Sequence, residues 1–239
     1  MINQIQPKII CIGWHKTGTS TLGDALLDLG YTVTGAREDL AYSLLDGDIE
    51  PALEVAKNFE ALQDVPFAAL FKELDKAFPN SKFILTVREE QAWLNSAKKH
   101  FKNKNYKLHQ WLYGNGVIEG NEDIYLARYR QHYQDIKSYF KDRRDDLLVM
   151  NFSQGDSWET LCSFLNQPIP RKAFPHSNKG KHSFTLKDKI IDLIRQLTPY
   201  WLRKLRIKAF VKLGFPDRTD RFNNKQYNYA ERKKRENEK

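Results

Sequence analysis

The segment 8–21, KIICIGWHKTGTST, restricts the fold more tightly than any other stretch of the chain. Its first five residues form a short apolar run ending at a glycine, the pattern of a buried strand. Leu22, Ala25, Leu26 and Leu29 then recur at helical spacing, and Gly30 stands where a helix C-cap belongs. Strand, glycine loop and helix in that order form the opening unit of a parallel α/β sheet. The loop keeps the glycine spacing of the nucleoside-triphosphate loop G-x-x-x-x-G-K-[ST], at Gly13 and Gly18. Its lysine is displaced: Thr19 follows the second glycine, and Lys16 lies two positions before it.

The alternation continues downstream. Residues 70–78 (LFKELDKAF) have helical period, Pro79-Asn80 turn the chain, and residues 82–87 (KFILTV) are a β-rich run ending at Arg88. Residues 89–100 return to helix, with Ser96 about two turns in. Between Asp123 and Phe140, the residues Ile124, Tyr125, Tyr129, His132, Tyr133 and Ile136 give a mainly apolar helical face, which Arg128 alone interrupts with a charge. Residues 147–152 (LLVMNF) read as a further buried strand, and 158–165 as a helix stopped by Pro168 and Pro170. The expected fold is α/β, a P-loop-like three-layer domain with a central parallel sheet flanked by helices, over residues 1–183. Residues 184–239 are predicted to be a basic amphipathic helical extension, since Ile190, Ile194, Leu197, Trp201 and Leu205 sit among lysines and arginines.

Charge separates the two parts. The formal net charge is +9, yet residues 179–239 hold 18 Lys and Arg against 7 Asp and Glu, leaving 21 against 23 in the remainder. The high pI therefore says nothing about nucleic acid binding by the body of the protein, and no nucleic-acid module is visible. The extension either packs on the domain or meets an anionic membrane through residues 187–215. Cys11 and Cys162 lie in apolar surroundings and read as small buried hydrophobes. With no long apolar run and no basic-then-apolar leader, a cytoplasmic location is expected, with membrane association only through the extension.

Chemistry concentrates in the loop and at Arg88. Backbone amides of residues 17–21, the positive end of the following helix, and the hydroxyls of Thr17, Thr19, Ser20 and Thr21 make an anion cradle. A metal-dependent NTPase needs an acid at the end of a neighbouring strand. The strand KFILTV ends instead in Arg88, which suits a second phosphate, and Ser96 can turn back toward the same group.

Lys16-Thr17-Gly18-Thr19-Ser20 together with Arg88 and Ser96 resemble the paired motifs of sulfotransferases that use 3′-phosphoadenosine 5′-phosphosulfate (PAPS). The resemblance runs from about residue 8 to 179 and includes FPNSKFILTVREEQAWLNS and LCSFLNQPIPRKAFPHSN. It implies that the loop, Thr21 included, holds the 5′-phosphosulfate, that Arg88 and Ser96 hold the 3′-phosphate, and that no metal is required. Lys16 would then stabilise charge on the departing phosphate. Asp64, in LQDVPF, occupies the x-Pro frame in which the family carries its base; its other reading is a helix N-cap. His15, beside the loop lysine, is the rival base. Some relatives stack a Trp at the end of the loop on adenine; Thr21 stands there, so Trp93 or another aromatic would have to replace it. Asn178-Lys179-Gly180-Lys181 loosely matches the basic loop that closes over the nucleotide, which assigns Lys179 to the donor.

The expected activity is transfer of the PAPS sulfuryl group to a hydroxyl, less readily an amine, on a small-molecule, lipid or carbohydrate acceptor. Two other readings stay open: a P-loop kinase or NTPase, and a non-catalytic protein acting through its basic extension. Acceptor pockets are built by variable loops, here residues 34–60 and 103–121, where Tyr106, Trp111 and Tyr113 suit a sugar ring or an apolar alcohol.

Overall fold

A computed structural model describes residues 7–176; Lys179, the extension and their assigned roles lie outside the described residues. The chain runs β1 (Ile9–Cys11), α1 (Thr19–Asp28), β2 (Val33–Thr34), α2 (Ala41–Leu45), α3 (Glu50–Lys57), β3 (Ala61–Gln63), α4 (Phe71–Ala77), β4 (Lys82–Thr86), α5 (Glu90–Phe101), α6 (Lys107–Tyr113), α7 (Glu122–Tyr139), β5 (Leu147–Met150) and α8 (Trp158–Leu165). The strands form one parallel sheet in the order β2-β3-β1-β4-β5.

Successive strand residues face opposite sides, and this alone divides the core into two layers. Ile10, Leu62, Phe83 and Leu85 pack against α2 to α7, while Ile9, Cys11, Ala61 and Ile84 pack against α1 and α8. The three-layer α/β fold matches the expectation. Both cysteines are unpaired and buried in the second layer, and burial raises both thiols above their usual range.

Several elements differ from the sequence reading. The stretches 34–60 and 103–121, expected as loops, contain α2, α3 and α6. β5 is only partly buried, with Val149 51% exposed, because it lies at an edge of the sheet and has β4 as its only neighbour among the described residues. Ile124, placed on the apolar face of α7 by its spacing, is 46% exposed in the helix's first turn. No described helix is long and apolar enough to cross a membrane.

The end of β1 passes very close to the end of β4. A Cβ on Gly13 would lie 1.8 Å from the Thr86 hydroxyl oxygen and 2.7 Å from the Thr86 backbone nitrogen. Gly13→Ala must push the two strand ends apart, and a loss of about 1–3 kcal/mol of stability is expected in denaturant unfolding; an unchanged midpoint would contradict this close approach.

Candidate functional site

In a parallel α/β sheet, ligands bind beyond the carboxyl ends of the strands, where the strand order reverses. Here that point is β1: the chain leaves it toward β2 and β3 on one side and returns to β4 on the other. Cys11 is in register with Gln63 and with Ile84, so the segments after β1, β3 and β4 emerge side by side. These carry the glycine loop, Asp64 and Arg88.

The loop is held from behind by its carbonyls. The Trp14 carbonyl accepts from the Thr17 hydroxyl (2.6 Å), that of His15 from the Trp93 indole (2.8 Å), and that of Lys16 from Arg88 Nη1 (3.0 Å). Each bond is a carbonyl turned toward the protein, which leaves amides facing the other way. Those of Gly18, Thr19 and Ser20 have no acceptor among the described residues. α1 begins at Thr19 with no side-chain cap, so its positive end is open to the same side. Lys16 and Gly18 both adopt left-handed backbone, at φ 66° and 106°. For lysine this conformation is uncommon, and such strain concentrates at functional sites. At position 18 glycine is required on two counts, the left-handed backbone and a Cβ that would come 2.5 Å from the Phe152 ring.

Two of the expected hydroxyl donors are already engaged. Thr17 is tied to Trp14 and to Thr86 (2.6 Å), and Thr19 donates to Asp64 Oδ2 (2.9 Å). The half-buried hydroxyls of Ser20 and Ser96 make no hydrogen bond within the described residues. Arg88 is exposed beyond β4 and joins the loop through the Lys16 carbonyl.

Asp64 also has left-handed backbone, at φ 64°. Its Oδ1 accepts from the Val65 amide (2.8 Å), leaving Oδ2 with Thr19. It caps no helix: residues 66–70 form turns, and α4 starts only at Phe71, so the N-cap reading falls. Burial raises its carboxyl above the usual range; the Val65 amide, the Thr19 hydroxyl and the charge of Lys16 oppose this. A carboxylate with raised pKa, bonded to the anion loop, has the character of a general base.

His15 points elsewhere. Its ring is 3% exposed and lies against Trp93, Phe101 and His109, with Nε2 2.9 Å from the Tyr113 hydroxyl. That hydroxyl also accepts from the Trp14 indole (2.6 Å), and His15 Nδ1 has no partner among the described residues. Trp93 is wholly buried and stacked on Tyr129 at 4.2 Å, so it offers no face to a purine. Its contribution, invisible in the sequence, is the indole clamp on the loop.

His15, His109 and His132 form a buried imidazole cluster around Trp14 and Phe101. Burial, followed by the neighbouring His109 and the charge of Lys16, lowers His15 well below the ordinary range. Burial also lowers His109 to about 3 and His132 to about 4. The unfolded chain therefore binds more protons than the folded one below about pH 6.5, and stability falls as pH drops. Each imidazole contributes a slope of up to about 1.4 kcal/mol per pH unit, and Asp64, whose carboxyl is raised by burial, acts in the opposite direction. Urea midpoints are expected to decline steeply from pH 7 to 5; a flat profile would mean that the cluster is not buried neutral.

A glycine loop, a carboxylate and a guanidinium thus meet at the switch point of a parallel α/β sheet. The chain belongs to the sulfotransferase domain family, whose model matches residues 8–115 and 100–183 in overlapping stretches. It is also 26% identical over 212 residues to Ava biosynthesis cluster protein M of Aspergillus versicolor, covering 71% of this chain and 80% of the relative.

Proposed function

We propose that this sulfotransferase-family protein moves the sulfuryl group of PAPS to the hydroxyl of a small-molecule acceptor. The observation that carries the reading is the bond between Thr19 of the anion loop and Asp64, which sets a carboxylate of raised pKa beside a loop whose Gly18, Thr19 and Ser20 amides have no acceptor among the described residues. The residues suit the donor. Free amides of Gly18, Thr19 and Ser20, with Lys16 between them and Arg88, meet the demands of a dianionic phosphosulfate, while Arg88 and the unengaged Ser96 suit a separate phosphate.

When bound, PAPS supplies an activated sulfuryl group. Asp64 accepts the proton of the acceptor hydroxyl. Lys16 and the loop amides offset negative charge on the phosphate oxygen that departs, and the helix end fixes its position. His15 is left out of proton transfer, since its Nε2 is tied to Tyr113 and its ring is enclosed. Biosynthesis named in the relative fits a small-molecule acceptor.

The test is transfer of radiolabelled sulfuryl from PAPS, in EDTA, to a panel of phenols, aliphatic alcohols and amines. Labelled product from an alcohol or phenol, absent with boiled protein, supports the reading. Label appearing only on amines, or a requirement for magnesium, would overturn it.

A further inference from the structure

Arg128 differs from the other arginines of the described residues, the exposed Arg144 and Arg171 aside. Arg37, Arg130 and Arg143 pair with Asp39, Glu90 and Asp75, and Arg88 bonds the Lys16 carbonyl. Arg128 is half-buried on α7, and among the described residues its guanidinium has no carboxylate or carbonyl partner. Its own helix offers none: the residues one turn away are Ile124, Tyr125, Gln131 and His132. It lies instead over the Trp14 ring, with its guanidinium carbon 5.1 Å from the ring centre. Trp14 is wholly buried, and its indole is fixed by the Tyr113 hydroxyl, so the platform is rigid. The aromatic face holds the cation in place and leaves its N–H donors free to bind an anion.

The position links this cation to the site. Trp14 follows Gly13 directly and precedes Lys16 by two positions, so Arg128 rests on the root of the anion loop. The Trp14 indole beneath the guanidinium donates to the Tyr113 hydroxyl, a phenol that the charges of both Arg128 and Asp64 reach. Arg128 also acts on His132, which is locked by its bond to the Ile12 carbonyl (2.8 Å).

We propose that Arg128 is the residue that selects the acceptor, and that the acceptor carries an anionic group, a carboxylate in the simplest case, in addition to its hydroxyl. The anion docks on the guanidinium above Trp14 while the hydroxyl reaches Asp64. This rests on the sulfotransferase reading of the same site, and it makes the acceptor an acidic alcohol or phenol in place of a neutral one. Charge-assisted bonds of this kind are short and geometrically selective.

The full chain, saturated with 3′-phosphoadenosine 5′-phosphate (PAP), is titrated by calorimetry with 4-hydroxyphenylacetate, 3-(4-hydroxyphenyl)propionate and neutral 4-ethylphenol. At least one acid is expected to bind about ten- to a hundredfold tighter than the neutral phenol. Arg128→Gln should remove that preference while leaving affinity for PAP and 4-ethylphenol unchanged, and Arg128→Lys should retain part of it. Equal binding of acid and neutral probes, no binding of the acids, or a preference that survives Arg128→Gln would overturn the proposal. Weakened PAP binding in Arg128→Gln would also overturn it, by assigning the guanidinium to the donor. Failure of the unaltered protein to bind PAP is a separate result, which removes the donor site and this inference with it.

Discussion

Lys16→Ala is expected to lower sulfuryl transfer roughly 10²- to 10³-fold, the loss typical when one preorganised stabiliser of developing charge is removed. The residue sits at φ 66° with its carbonyl held by Arg88, so the backbone presents its side chain from the centre of the loop. Alanine in the same conformation bears a similar backbone cost, and the fold should survive, with the unfolding midpoint close to that of the unaltered protein. Lys16→Arg keeps the charge but not the compact ammonium, and partial activity is expected. The check is steady-state turnover beside PAP affinity. A variant that still turns over at the original rate would show that the displaced lysine of the motif does not serve the leaving group.

Asp64→Asn should cost turnover about 10²- to 10⁴-fold with nucleotide binding retained. Asparagine keeps an oxygen for the Val65 amide, can donate its amide nitrogen to the Thr19 hydroxyl, and tolerates left-handed backbone, which isolates the loss of the proton acceptor from loss of structure. The base must be ionised, so turnover of the unaltered enzyme falls as pH drops through the raised Asp64 pKa, and that acid limb should vanish from the residual activity of the variant. Unchanged turnover, or an acid limb that persists, would place the base elsewhere. Both rates are to be compared above the pH at which the imidazole cluster begins to destabilise the fold.

The sequence disclosed the parts of the site in which local pattern and chemistry coincide. The loop between β1 and α1 was legible because glycines, hydroxyls and lysine occur together after an apolar run, and β4 because KFILTV ends abruptly at a charge. Asp64 was visible only through the proline frame that follows it; its contact with Thr19 depends on β3, a strand of three residues in the middle of the sheet. So short and fully buried a strand shows no alternation. β2, with two residues, left no trace for the same reason, and the stretch around it read as loop. Trp93 reads from its helix as a core residue, which it is, but the bond that makes it a clamp on the His15 carbonyl spans 78 positions and has no local signature. His15 and Tyr113 show the reverse case: two polar residues in promising positions are consumed by each other and by Trp14. Arg128 stood out in the sequence only as a break in an apolar face, and its counterpart across the fold, Trp14, could not be inferred from spacing.

The most direct measurement of the central claim is calorimetric titration of the protein in EDTA with PAP, 5′-AMP and ATP, repeated for ATP with magnesium. Tight, metal-free binding is expected for PAP, with clear preference over 5′-AMP that disappears in Arg88→Ala and overall weakening in Lys16→Ala. Absence of PAP binding, or a preference for magnesium ATP, would contradict the assignment of the loop and Arg88 to a sulfuryl donor.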